Sequence, residues 1–127
     1  MTSQRVKAAV IRRNDTLLIC QRPAHKRHGN LWEFPGGKCE LGEADADTIT
    51  RELAEELGVR VQSVGAEVYS ASDPESPFLI VFVPVDIDGE PQCLDHAAIR
   101  WVMLAELADL PLAPSDARFV RHLQQAQ

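Results

Sequence analysis

The run Phe78-Leu-Ile-Val-Phe-Val-Pro-Val-Asp-Ile87 limits the fold more than any other stretch of this chain. Successive side chains of a strand point to opposite faces, so Phe78, Ile80 and Phe82 share one face and Leu79, Val81 and Val83 share the other. A strand apolar on both faces has to be covered on both, which predicts a sheet between helical layers. A helix is expected over Asp45–Leu57, where Ala46, Ile49, Leu53 and Leu57 recur at steps of three or four and Gly58 follows as a stop. A second helix is expected over Ser115–Gln125 behind Pro114, and a helical turn over Ala105–Leu110. Val6–Ile11 and Thr16–Cys20 are expected to pair as a hairpin across Arg12-Arg13-Asn14-Asp15, and Ile99–Met103 to form a further strand. Val59–Ser70 is β-prone, Leu31–Phe34 is extended, and Pro35-Gly36-Gly37 and Ser72–Pro77 are expected turns. The expected fold is α+β: one domain over residues 1–127, with a mixed central sheet and helices on its faces.

A hydrophobic content of 45% is enough for a core at 127 residues, and no repeat or linker divides the chain. The short apolar stretch Ala8–Ile11 is too brief for a signal-peptide core or a membrane span, so a cytoplasmic protein without a membrane partner is expected. Cys20, Cys39 and Cys93 are odd in number and form no close pair, which fits free thiols in a reducing compartment and neither zinc nor disulfides. His25 and His28 belong to a basic loop with Lys26 and Arg27, and His96 and His122 stand alone. A net charge of −6 disfavours long nucleic acid, yet carboxylates can bind a small phosphate substrate through a bridging cation.

Glu52, Glu55 and Glu56 fall on one face of the first helix, opposite its apolar stripe. Hard divalent cations take such carboxylates together with substrate phosphate oxygens. Taken alone, a solvated acidic face explains the same three residues as well.

Their frame decides between the two. From Gly37 the chain runs five residues to Glu43, seven more to Arg51, and then Glu52-Leu53-Ala54-Glu55-Glu56-Leu57-Gly58-Val59. This resembles the Nudix hydrolase signature over residues 37–59 without a departure. The resemblance implies a strand–loop–helix element in an α/β/α sandwich, and hydrolysis of a diphosphate linkage in a nucleotide. It implies Mg2+ as cofactor, with Mn2+ as a possible substitute, held by Glu52, Glu55, Glu56 and the backbone carbonyl of Gly36. It gives Gly37, Glu43, Arg51 and Gly58 structural places in the motif, with Arg51 and Glu43 paired, and makes Glu52 the expected helper of the attacking water. All three glutamates are candidate catalytic residues.

Outside that segment, Leu31-Trp-Glu-Phe-Pro-Gly-Gly-Lys38 is similar to the MutT-type branch, which cleaves nucleoside triphosphates to monophosphate and pyrophosphate, and in particular to bacterial CTP pyrophosphohydrolases and 8-oxo-dGTP diphosphatases. In this branch Arg22 and Lys38 would contact phosphate, and Asp116 would contact the base; surface solvation and helix capping are the plainer alternatives. Asp95, six residues before Trp101, stands where relatives carry a late acid for the metal, although loop solvation explains it equally. Trp32 and Phe34 are expected to wall the pocket or the core. Pro74 raises the alternative of an ADP-ribose or nucleotide-sugar pyrophosphatase, although a turn explains it, and a non-catalytic nucleotide-binding module is a further alternative that the intact glutamates disfavour. The expected partner is a small nucleotide, and the protein a monomer or homodimer.

Overall fold

The computed structural model describes residues 4–72 and 76–126. In chain order its elements are β1 (Gln4–Val10), β2 (Arg12–Arg13), β3 (Thr16–Gln21), β4 (Trp32–Glu33), β5 (Gly36–Lys38), α1 (Asp45–Leu57), β6 (Arg60–Val64), β7 (Tyr69–Ser72), β8 (Phe78–Asp88), β9 (Ala98–Met103), α2 (Leu104–Leu107) and α3 (Pro114–Gln125). The doubly apolar run is β8, at the centre of one sheet. It pairs in parallel with β1 on one edge and antiparallel with β6 and then β7 along the other, while β5 pairs antiparallel with β1. A second sheet has β3 between β4 and β9, with β2 folding back on the start of β3.

Both faces of β8 are covered, by different helices. Phe82 packs with Phe34, Phe119, Val120 and Leu107, placing α2 and α3 on one side. Phe82 and Phe119 stack with ring centroids 4.3 Å apart, and the Phe34 ring meets both edge-on. Val81, Val83 and Val85 pack with Ile49, Leu53 and Leu57, placing α1 on the other side. The second sheet divides its strand the same way: Leu17 and Ile19 enter the first core, Leu18 and Cys20 the second. Helices thus flank a mixed sheet and an antiparallel one, in the α+β sandwich the sequence suggests.

Four local expectations are corrected. Segments 6–11 and 16–20 are not hairpin partners, because the chain changes sheets at Ile11. Arg12 and Arg13 pair back onto β3, around Asn14 in a left-handed conformation, and before them the Ile11 carbonyl accepts the Leu18 N–H. Adjacent Val10 and Ile11 enter opposite cores, so their apolar character gives no hint of the break. Pro35-Gly36-Gly37 is not a turn: Gly36 and Gly37 lie in β5, hydrogen-bonded into the edge of β1. Ala46 is exposed, and Thr48 and Glu56 join Ile49, Leu53 and Leu57 on the buried face of α1. The first turn of α1 projects past the core, where Asp45 meets Lys7 (2.7 Å) and Arg5 (3.6 Å). The β-prone segment 59–70 is divided, with residues 65–68 between β6 and β7 outside any strand. Pro74 lies outside the described residues, as do 73 and 75 of the expected turn at 72–77. No helix among the described residues is long and apolar enough to cross a membrane.

Leu53 is fully buried in the core under α1. Truncation to alanine should remove about 2–5 kcal/mol of stability, read as a lower urea midpoint at unchanged m-value. A loss below about 1 kcal/mol would mean that this stripe does not anchor the helix.

Candidate metal and nucleotide site

Helix α1 begins without a side-chain cap at Ala44 and ends at Gly58 (φ 68°), whose N–H donates to the Ala54 carbonyl. What fixes its entry is Arg51. Its guanidinium donates to both oxygens of Glu43 (2.9 and 3.0 Å), to the Lys38 carbonyl (3.1 Å) and to Glu52 (2.7 Å). Glu43 also accepts from the Glu40 N–H and from the Thr48 hydroxyl. These bonds, the Arg51 pair above all, hold the Glu43 carboxyl down at about 2. One arginine thereby joins β5, the following loop and the helix. Glu52 is then pressed against Gly37 so closely that a Cβ there would overlap its carboxylate.

The other end of α1 is met by a loop. The N–H groups of Gln92 and Leu94 donate to the carbonyls of Leu57 and Glu56, which satisfies the last turn of the helix. Ala97 N–H donates to Gln21 at the end of β3. This docking carries Asp95 and His96 to Glu56, and the ligand atoms of these three lie within 4.8 Å of one another. His96 Nε2 is 3.1 Å from Glu33 Oε2 and 3.4 Å from Glu56 Oε1. Glu33 reaches this point because Trp32 and Phe34, on either side of it in an extended segment, take the opposite face into the core. Its second oxygen accepts from Arg22 at 3.0 Å, and Arg22 also donates to the Arg27 carbonyl.

Glu56 is only 5% exposed. Burial, reinforced by the negative charges of Glu52, Glu33 and Asp95, pushes its carboxyl up to about 9. Glu56 Oε2 has no donor among the described residues; its neighbour Glu52 offers a bond only when one of the pair carries a proton. Such a group is suited to a cation, which would remove both the repulsion and the unmet acceptor.

Two cavities open here. A recess of about 130 Å³ is lined by Glu52, Glu56, Asp95, His96 and Lys26, and a larger cavity of about 320 Å³ by Phe34, Lys38, Phe78, Ile80 and Asp116; Arg22, Glu33 and Gly36 line both. Asp116, in the first turn of α3, accepts the Phe34 N–H at 2.9 Å. Burial, with the Glu33 charge second, raises its carboxyl to about 8. The Lys38 ammonium stands 4.5 Å from the centre of the Phe78 ring. Of the residues singled out from sequence, Gly36, Glu52, Glu56 and Asp95 thus converge on the recess, Arg22 lies between the cavities, and Lys38 and Asp116 border the larger one. Glu55 does not reach either: its side chain is 61% exposed and sits 3.7 Å from Arg51. Glu33 and His96 were not foreseen. For Glu33 the signal was present, an acid between two large apolar residues of one strand. For His96 there was none, since only the docked loop brings it to the helix.

The NUDIX domain family matches residues 2–123. The chain belongs to the Nudix family. It is a hydrolase of acid anhydrides acting on nucleotide pyrophosphate bonds. The chain is 40% identical over 115 residues to the CTP pyrophosphohydrolase of Escherichia coli, covering 87% of this chain and 84% of that protein. It is 35% identical over 126 residues to a putative 8-oxo-dGTP diphosphatase 2 of Mycobacterium tuberculosis, covering 97% and 89%. The solution structure of the Escherichia coli ORF135 protein superimposes with a TM-score of 0.82 at 34% identity, covering 98% of this chain and 91% of that one. Nudix hydrolases generally use divalent metals, and the crowded carboxylates with the orphaned Glu56 oxygen fit one.

The raised carboxyl of Asp116 sets a pH dependence. Between its ordinary value of 3.8 and about 8 the folded protein keeps a proton that the unfolded chain has lost. Stability of the metal-free protein should therefore fall as pH rises through that window and level off above it. Asp116→Asn should flatten part of the decline, with the remainder due to Glu56. Urea midpoints from about pH 5 to 9 in EDTA test this; parallel profiles for the two proteins would show Asp116 ionised at neutral pH.

Proposed function

We propose that this Nudix protein is a magnesium-dependent nucleoside triphosphate pyrophosphohydrolase, converting a ribo- or deoxyribonucleoside triphosphate, normal or oxidised, to the monophosphate and pyrophosphate. The observation that carries it is the sharing of Arg22, Glu33 and Gly36 by a small carboxylate recess and a larger, largely apolar cavity. A phosphate chain can lie in the first while its nucleoside fills the second, which has the volume of a small-ligand pocket. The names of the relatives, one a CTP pyrophosphohydrolase and one a putative 8-oxo-dGTP diphosphatase, point the same way.

In this reading Glu52, Glu56, Asp95 and the Gly36 carbonyl hold Mg2+, or Mn2+ in its place, and Glu55, exposed beside Arg51, reaches the ion only by leaving that contact. When bound, the cation neutralises the diphosphate oxygens and makes phosphorus more open to attack by water. Glu52, held by Arg51, accepts the proton of that water. Arg22 and Lys38 offset the charge of the triphosphate. Asp116 reads the base from the far wall: protonated it donates a hydrogen bond, and ionised it accepts one from an exocyclic amine. Phe34, between Asp116 and the core, gives the base an apolar wall. The protein acts as a single domain on small nucleotides in the cytoplasm, alone or as a homodimer.

A panel of nucleotides with Mg2+ tests the reading. Pyrophosphate should appear from triphosphates and stop with EDTA, and Glu52→Gln should lower kcat by about 10²–10⁴-fold with an unchanged circular dichroism spectrum. AMP from ADP-ribose, with triphosphates untouched, would overturn it. Asp116→Ala should raise KM or reorder the bases while leaving the metal requirement intact. An unchanged ranking would assign Asp116 to structure.

A further inference from the structure

Glu56, Asp95 and His96 bring two kinds of donor together, carboxylate oxygens and an imidazole nitrogen. His96 is held there by its backbone: its carbonyl accepts from the Cys93 thiol, and its neighbours are bonded to α1 and β3. Its side chain is 5% exposed. Nε2 has a hydrogen-bond partner in Glu33, but at 3.4 Å from Glu56 Oε1 it is beyond the usual hydrogen-bond range. That spacing is close to the roughly 3.0–3.4 Å that separates two donors bound to one cation at about 2.0–2.1 Å. Moreover, the buried side-chain polar atoms without a partner among the described residues are Glu56 Oε2 and His96 Nδ1, and both belong to this cluster. Buried polar groups are nearly always satisfied, and of these two atoms it is the Glu56 oxygen that a cation beside Nε2 would satisfy.

We propose that His96 is a nitrogen ligand of the divalent cation, sharing it with Glu56 and Asp95 and tilting the site from Mg2+ towards first-row transition metals. The inference rests on the reading of this recess as the cation site and adds a donor to it. Carboxylate and water suit Mg2+ and Mn2+ alike, whereas imidazole is a poor partner for Mg2+ and a good one for transition ions. On binding, the imidazole proton passes from Nε2 to Nδ1, so that the Nε2 lone pair meets the cation in place of the Glu33 hydrogen bond. Glu33 remains held by Arg22.

Manganese alone, added to the intact protein without nucleotide, is the probe. Electron spin echo modulation of bound Mn2+ should show coupling to a directly bound nitrogen, and 15N-histidine in the unaltered protein should change its pattern from that of 14N to that of 15N. His96→Gln should abolish the coupling, and His28→Gln, at the neighbouring cavity, should retain it. Calorimetric titration should show His96→Gln weakening Mn2+ by about 10-fold or more, at least the effect typical of losing an outer-shell partner, with a smaller change for Mg2+. Bound Mn2+ that is lost in Glu56→Gln but shows no histidine nitrogen coupling would overturn the proposal and leave the cation site standing. Failure of Mn2+ and Mg2+ to bind at all would overturn both. Should His96→Gln not fold, retention of the coupling in His25→Gln, His28→Gln and His122→Gln assigns it to His96, the one histidine left, and its loss in any of them overturns the proposal.

Discussion

The Arg51 guanidinium is the point on which the rest of the site depends. It grips Glu43 with two parallel bonds, reaches the Lys38 carbonyl at the end of β5, and touches Glu52 on its own helix. A planar, permanently charged fork is suited to three such partners at once, and lysine in its place would supply charge without the paired geometry. Through it the edge of one sheet, the loop and α1 take fixed relative positions. Glu52 can then sit against Gly37 only because that residue has no side chain. Gly37, the loop at Glu43 and the middle of α1 are thus joined through a carboxylate and a cation, while the apolar stripe of α1 holds the helix on the core.

That stripe also explains the electrostatics. Glu56 lies on the edge of the buried face, one residue before Leu57, so anchoring the helix draws a carboxylate out of water. The loop that caps the helix C-terminus adds Asp95 and His96 to the same place. A buried carboxylate with an unmet oxygen among other acids is costly to the folded protein until positive charge reaches it. In the proposed reading, affinity for a cation and loss of stability without one have a common origin.

The larger cavity answers to different forces. Its walls belong to the opposite core, built from stacked Phe82 and Phe119 with Phe34 at their edges. Asp116 enters it on the first turn of α3, tied to the Phe34 backbone. In the proposed reading, chemistry and selection are divided across the sheet: α1 contributes carboxylates, and the α3 side the nucleoside contacts. Arg22 and Glu33 stand at the junction, and their ion pair connects the two.

Much of this was legible in the chain itself. The extent of α1 follows from its periodicity and its glycine stop, and covered faces on both sides of β8 follow from its alternation, because burial of apolar side chains is a local pattern repeated along an element. The spacing from Gly37 to Val59 likewise identifies the family, since one strand–loop–helix unit carries every residue of it. Other features arise from contacts between distant segments and leave no such pattern. The sheet change at Ile11 depends on which core each of two similar apolar neighbours enters. The exposure of Glu55 and the burial of Glu56 depend on where α1 meets the sheet, not on their order in the sequence. His96 reaches Glu56 because the carbonyls at the end of α1 need donors and the 91–97 loop supplies them. Sequence determined the carboxylate helix and its family; tertiary structure decided which of those carboxylates share the recess, and with what nitrogen, because unsatisfied backbone groups and buried charge are settled only when separate elements pack.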